Sequence, residues 1–148
     1  MISHAVVDSS VAIKWVVEEE ESDNARSVSQ ATLEAPDLLL IECANILWKK
    51  VTLSDLSLRE AGDCWRVLLE APIQFSLSTD LLDTALRISL DLKHPVYDCV
   101  FLALALRLDI PFITADRRLV AAVRRRKRLG INVVALSDTR AVTSVDTA

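Results

Sequence analysis

Four carboxylates, Asp8, Glu42, Asp98 and Asp116, occupy positions where an acid calls for an explanation. Asp8 follows the apolar run Ala5-Val6-Val7, and Asp116 comes just after Phe112-Ile113-Thr114, so each closes a stretch that reads as a short buried strand. Glu42 and Asp98 stand on otherwise apolar helical stretches, Glu42 between Ile41 and Cys43. A lone buried carboxylate is costly and needs a partner, and neither helix carries an obvious cation beside its acid. If the four converge, their repulsion demands a compensating charge. Hard oxygen donors then favour Mg²⁺ or Mn²⁺ over zinc. Each acid also has a structural role open to it. Asp8 and Asp116 suit helix N-caps, and Asp98 in a first turn suits the helix dipole. Glu42, in mid-helix, is harder to account for in this way. Spacing alone does not choose between these readings.

Composition narrows the chemistry further. The chain has 148 residues, 51% hydrophobic and 26% charged, which fits one globular domain, read as 1–136 followed by a polar tail over 137–148. A net charge of −4 excludes a broadly basic nucleic-acid binder but not an enzyme with a local basic patch. Such a patch is at hand in Arg117, Arg118 and the run Arg124 to Arg128, of which Arg117 and Arg118 lie nearest Asp116 and best suit phosphate contacts. The same cations also suit a solvated helix face. Two glycines, Gly62 and Gly130, are too few for a phosphate-cradling glycine loop. Two histidines, His4 and His94, exclude a His-rich zinc site. Cys43, Cys64 and Cys99 have no paired spacing and read as free thiols of a reducing compartment. Asp8, Ser9 and Ser10 interrupt any early apolar run, so no signal peptide is expected, and no apolar stretch nears the ~18 residues of a membrane span. The expected setting is the cytoplasm, without membrane contact.

The elements that must hold these acids follow from local pattern. A strand is expected over 4–8, a short helix over 11–17, and a helix over 24–33 capped by Ser22 and stopped by Pro36. The segment from Asp37 to Lys50 reads as a helix that puts Glu42, Asn45 and Lys49 on one face. Ser57 and Glu60 have capping-box spacing ahead of a helix over 58–69. A strand over 73–77 and a helix over 80–90 come next, and then Pro95 in the first turn of a buried helix over 96–108. A strand ending at Thr114, a basic helix over 117–127 stopped near Gly130, and a last strand over 131–136 complete the series. Such alternation predicts a three-layer α/β domain, a central, mainly parallel sheet flanked by helices, with ligands bound beyond the carboxyl ends of its strands. His94 reads as a turn residue before Pro95 rather than a base. Trp15, Trp48 and Trp65 read as core or interface residues rather than base-stacking platforms.

Four motifs occur in an order that covers most of the chain: Val6-Val7-Asp8-Ser9-Ser10-Val11-Ala12, Ala35-Pro36-Asp37-Leu38 with Glu42-Cys43-Ala44-Asn45, Tyr97-Asp98-Cys99-Val100-Phe101-Leu102-Ala103-Leu104-Ala105, and Thr114-Ala115-Asp116-Arg117-Arg118-Leu119. Each is weak alone, but the ordered set resembles PIN-domain ribonucleases of the VapC toxin type. The resemblance implies a PIN-like fold and Mg²⁺-dependent cleavage of cellular RNA, with Mn²⁺ as a possible substitute. It implies that Asp8, Glu42, Asp98 and Asp116 form the catalytic, metal-binding quartet and that Ser10 and Thr114 support it by fixing carboxylate rotamers. It further implies a homodimer and neutralisation by a cognate VapB-type antitoxin, for which an Arg offered to the acidic cleft would be the natural contact. Two other readings stay open: a housekeeping PIN nuclease acting on RNA or DNA, and a non-catalytic α/β interaction module whose acids are caps.

Overall fold

The computed structural model describes residues 2–139. Five strands form one sheet: β1 (His4–Val7), β2 (Thr32–Pro36), β3 (Ile73–Ser76), β4 (Phe112–Thr114) and β5 (Val133–Ala135). Their order is β3-β2-β1-β4-β5, and all four pairings are parallel. Seven α-helices connect them: α1 (Ser9–Ala12), α2 (Ser22–Val28), α3 (Leu38–Thr52), α4 (Leu58–Glu70), α5 (Leu82–Leu92), α6 (Val96–Leu108) and α7 (Arg117–Arg124), with short 3₁₀ turns between some of them. The chain steps outward from β1 to β2 and β3, then crosses back to β4 and β5. Helices cover both faces of the sheet, the three-layer arrangement expected.

The core is built on the central strands and α6. Val6, Val7, Phe112 and Ile113 are fully buried, as befits parallel strands covered on both sides. Helix α6 is buried from Cys99 to Ala105 and packs on β1, β2, β4 and α5. Its Phe101 ring meets Phe112 of β4 at 6.3 Å between centroids. Helix α3 packs on β2 and against α1 and α4.

Three expected elements differ in the structure. The short helix read over 11–17 is instead α1, Ser9–Ala12, followed by a 3₁₀ turn over Ile13–Trp15. The helix read over 24–33 runs only from Ser22 to Val28, and Thr32–Pro36 is a strand lying between β1 and β3. Pro36 therefore ends a strand, not a helix. Ser22 is not the cap: its hydroxyl accepts from the Glu19 N–H at 2.9 Å, and the N-cap is Glu21 in a left-handed conformation, φ 67°. The basic helix is also shorter than read, ending at Arg124, with a separate 3₁₀ turn over Lys127–Leu129 closed by Gly130 at φ 69°. Of the polar tail read from 137, Ser137 and Asp138 belong to a 3₁₀ turn and Thr139 contacts Asn24, whereas residues 140–148 lie outside the described residues.

Candidate active site

The strand order reverses between β1 and β4, whose ends stand side by side, Val7 opposite Ile113. This switch point opens a crevice at the carboxyl ends of the two strands. Asp8 emerges from β1 there, and Thr114 and Asp116 emerge from β4. Helix α1 starts at once after Asp8 because the Asp8 carboxylate caps it, Oδ1 accepting the Ser10 N–H at 3.1 Å. The same Oδ1 accepts the Ser10 hydroxyl at 2.5 Å, and Oδ2 accepts the Thr114 hydroxyl at 2.7 Å. Ser10 Oγ in turn accepts the Ala115 N–H, and Thr114 Oγ1 accepts the Asp116 N–H, both at 3.0 Å. Asp8, Ser10, Thr114 and the backbone at Asp116 are thus one hydrogen-bonded unit.

Helices α3 and α6 bring two more carboxylates to Asp8. Burial pushes the Asp8 carboxyl up from 3.8 to about 6; the Ser10 and Thr114 hydroxyls pull it down, and the negative charge of Asp98 adds to the rise. Burial likewise pushes Glu42 up from 4.5 to about 7, reinforced by the charges of Asp8 and Asp98. Glu42 Oε1 is buried and has no hydrogen-bond partner. An acid with an orphaned oxygen, facing two like charges, is an arrangement that folding alone would disfavour. Asp98 lies in the first turn of α6, and its Oδ2 is 2.5 Å from His94 Nε2. The partner sought beside Asp98 is therefore an imidazole, four residues earlier and across Pro95.

Asp116 joins this group differently. It is exposed, and its Oδ1 caps α7 through the N–H groups of Arg118 and Leu119 at 3.0 and 3.1 Å, so its capping role is realised. Its backbone ties it to Thr114. Among the described residues no group of three or more His, Cys, Asp or Glu side chains is arranged, as it stands, to hold a metal ion. The donors on offer to a cation are carboxylate oxygens, with Glu42 Oε1 uncommitted.

The surroundings exclude some chemistry and qualify other expectations. Burial raises the Cys43 thiol to about 12 and Cys99 to about 11, so neither supplies a thiolate nucleophile at neutral pH. Arg117 pairs with Glu21 at 3.0 Å, whereas the exposed Arg118 has no ion partner among the described residues. Of the later cations, Arg124 pairs with Asp138, and Arg126 and Arg128 both pair with Asp91, so these guanidinium groups are engaged at the surface. Trp48 is 64% exposed and Tyr97, next to Asp98, equally so; neither belongs to the core. Trp15, by contrast, is partly buried and donates to the Ala25 carbonyl.

The PIN domain family model matches residues 5–125. The chain is 35% identical over 118 residues to Ribonuclease VapC3 of Pyrobaculum aerophilum, a match that covers 77% of this chain and 90% of the relative. Its fold resembles the crystal structure of PAE2754 from the same organism, with a TM-score of 0.66, 19% identity and 93% of each chain covered. It also resembles Mycobacterium tuberculosis VapC20, a sarcin-ricin loop cleaving toxin, at a TM-score of 0.63 and 15% identity over 80% of this chain and 94% of that one. VapBC2 from Rickettsia felis, solved with a DNA fragment from its promoter, matches at a TM-score of 0.60 and 9% identity over 89% of this chain and 98% of that one.

Proposed function

The chain belongs to the PIN-domain family, among its VapC-type ribonucleases, and from this we propose that it is a divalent-metal-dependent endoribonuclease toxin held in check by a VapB-type antitoxin. The observation that carries the metal dependence is the strained acidic centre: Glu42 Oε1 is buried without a partner, and Asp8 and Glu42 are both raised with Asp98 against them. Such a set fits a hard cation, Mg²⁺ or Mn²⁺, held by Asp8, Glu42 and Asp98 with Asp116 contributing at the rim. When bound, the ion supplies charge neutralisation at the scissile phosphate and a water of lowered pKa.

The protein's own contribution is positioning. Ser10 and Thr114 hold both oxygens of Asp8 in place, so the carboxylate needs no rearrangement when the cation binds. Asp116 fixes the start of α7 and thereby presents Arg118 at the edge of the crevice, where its guanidinium meets the RNA phosphate backbone. Arg117, tied to Glu21, shapes the same rim.

The partners follow from exposed apolar surface. On α3, Ile41 and Trp48 are 69% and 64% exposed, one residue and six residues from Glu42, an apolar face beside the acidic cleft that suits an antitoxin segment. Helix α5 exposes Leu82, Leu86 and Leu90 along one stripe, flanked by Asp83 and Arg87, which have no ion partners among the described residues. Two copies packed with α5 antiparallel across a two-fold would bury the leucines and pair Asp83 with the other copy's Arg87, which supports a homodimer. No helix among the described residues is long and apolar enough to cross a membrane. Induced expression tests the toxin assignment. Growth arrest with fragmented cellular RNA, absent for Asp98→Asn and relieved by the product of the adjacent gene, is expected. Normal growth with intact RNA refutes it, whereas arrest that the neighbour does not relieve favours a nuclease outside a toxin–antitoxin pair.

A further inference from the structure

We infer that His94 is a positioning residue that orients Asp98 for the metal. This inference rests on the metal-site reading above. His94 Nε2 lies 2.5 Å from Asp98 Oδ2, and the contact bridges the start of α6, where Pro95 has no N–H to offer. The His94 backbone is gripped twice by Ser89: the His94 N–H donates to the Ser89 carbonyl at 3.2 Å, and the Ser89 hydroxyl donates to the His94 carbonyl at 2.5 Å. Lys93, at φ 54° after the end of α5, makes the turn that brings His94 back over Asp98. The imidazole is then confined, its side chain only 23% exposed.

This grip answers a physical problem. Asp98 faces Asp8 and Glu42, and a carboxylate among like charges is free to lower its energy by swinging toward water. A ring N–H donated to Oδ2 opposes that swing and leaves Oδ1 uncommitted to His94. The commitment of Nε2 to Asp98 also sets His94 apart from a general base acting on RNA. Donors that orient a ligating group from behind characteristically change metal affinity by about 10–100-fold when removed.

The test is Mn²⁺ binding without RNA, followed by electron paramagnetic resonance of the free ion, in the wild type, His94→Ala and His94→Gln, with melting temperatures in EDTA. Gln reaches as far as Nε2 and keeps an N–H donor. The expected result is binding weakened about 10–100-fold in His94→Ala and largely restored in His94→Gln, with both variants melting near the wild type. Wild-type affinity in His94→Ala overturns the inference while leaving the metal site intact. Equal weakening in both variants, with matching losses of melting temperature, overturns it by reducing His94 to a structural brace. No Mn²⁺ bound by the wild type refutes the metal-site reading itself, and the inference with it.

Discussion

Glu42→Gln should stabilise the metal-free protein while abolishing its activity. The folded state holds Glu42 at about 7 against 4.5 for an unperturbed glutamate. That difference corresponds to a ceiling of about 3 kcal/mol against folding once the group is fully ionised. Glu42 is only half-buried, so solvent screening reduces the usable figure to about 1–2 kcal/mol. The sign is fixed by linkage. Below the unfolded value both states are protonated and Glu42 costs nothing; as pH rises from 4.5 to about 7 the unfolded state ionises first, and the penalty grows and then levels off. Gln, which does not ionise, escapes it. Urea unfolding in EDTA should show the variant more stable by about 1–2 kcal/mol at pH 8, roughly 3–8 °C in melting temperature, and by about a quarter of that at pH 5. A variant that is equally stable or less stable at pH 8, or whose gain does not depend on pH, would refute the argument that Glu42 is held ionised against repulsion and burial.

Three further outcomes follow from the same geometry. Because Asp8 and Glu42 titrate near 6 and 7, Mg²⁺ binding at pH 6.5 should release about one proton, falling toward none at pH 8.5, as read by calorimetry in buffers of different ionisation enthalpy; no release at pH 6.5 counts against the two carboxylates as ligands. Thr114→Val removes a hydrogen bond that holds the Asp8 carboxyl down, so the acid limb of the cleavage pH profile should move to higher pH, and an unmoved limb would separate Asp8 from the ionisation that controls activity. Leu86→Glu should convert a dimer to a monomer by light scattering with the melting temperature of the domain little changed, since Leu86 is 54% exposed; an unchanged mass would exclude the α5 face as the interface.

What was legible in the residues, and what was not, divides along local and non-local physics. The capping box at Ser57 and Glu60 is present in both directions, and the apolar run of α6 is buried as expected, because each depends on residues a few positions apart. Strand β2 escaped because Leu33, Glu34 and Ala35 are strong helix formers and only Thr32 is β-branched, so the brief alternation of Thr32-Leu33-Glu34-Ala35 carried little weight. It is a strand by virtue of its place between β1 and β3, where Glu34 is matched to His4 at 3.2 Å. At the site, the strand-end positions of Asp8 and Asp116 were readable, and so was the oddity of Glu42. That α3 and α6 deliver Glu42 and Asp98 to Asp8 is a matter of tertiary packing, which spacing does not encode. His94 lay within reach of local reasoning, since it precedes Asp98 by four residues, but Pro95 marks a helix boundary and hid the i, i+4 relation. The pairing of Arg117 with Glu21 spans 96 residues and had no local signal.

The central claim is that the acidic centre at the carboxyl ends of β1 and β4 cleaves RNA through a divalent cation. The most direct measurement is single-turnover cleavage of an end-labelled single-stranded RNA by the purified wild type and by Asp8→Asn, each with Mg²⁺ and with EDTA. The account predicts cleavage only by the wild type and only with Mg²⁺, while Asp8→Asn stays folded. Cleavage that survives Asp8→Asn, or that proceeds unchanged in EDTA, would contradict it.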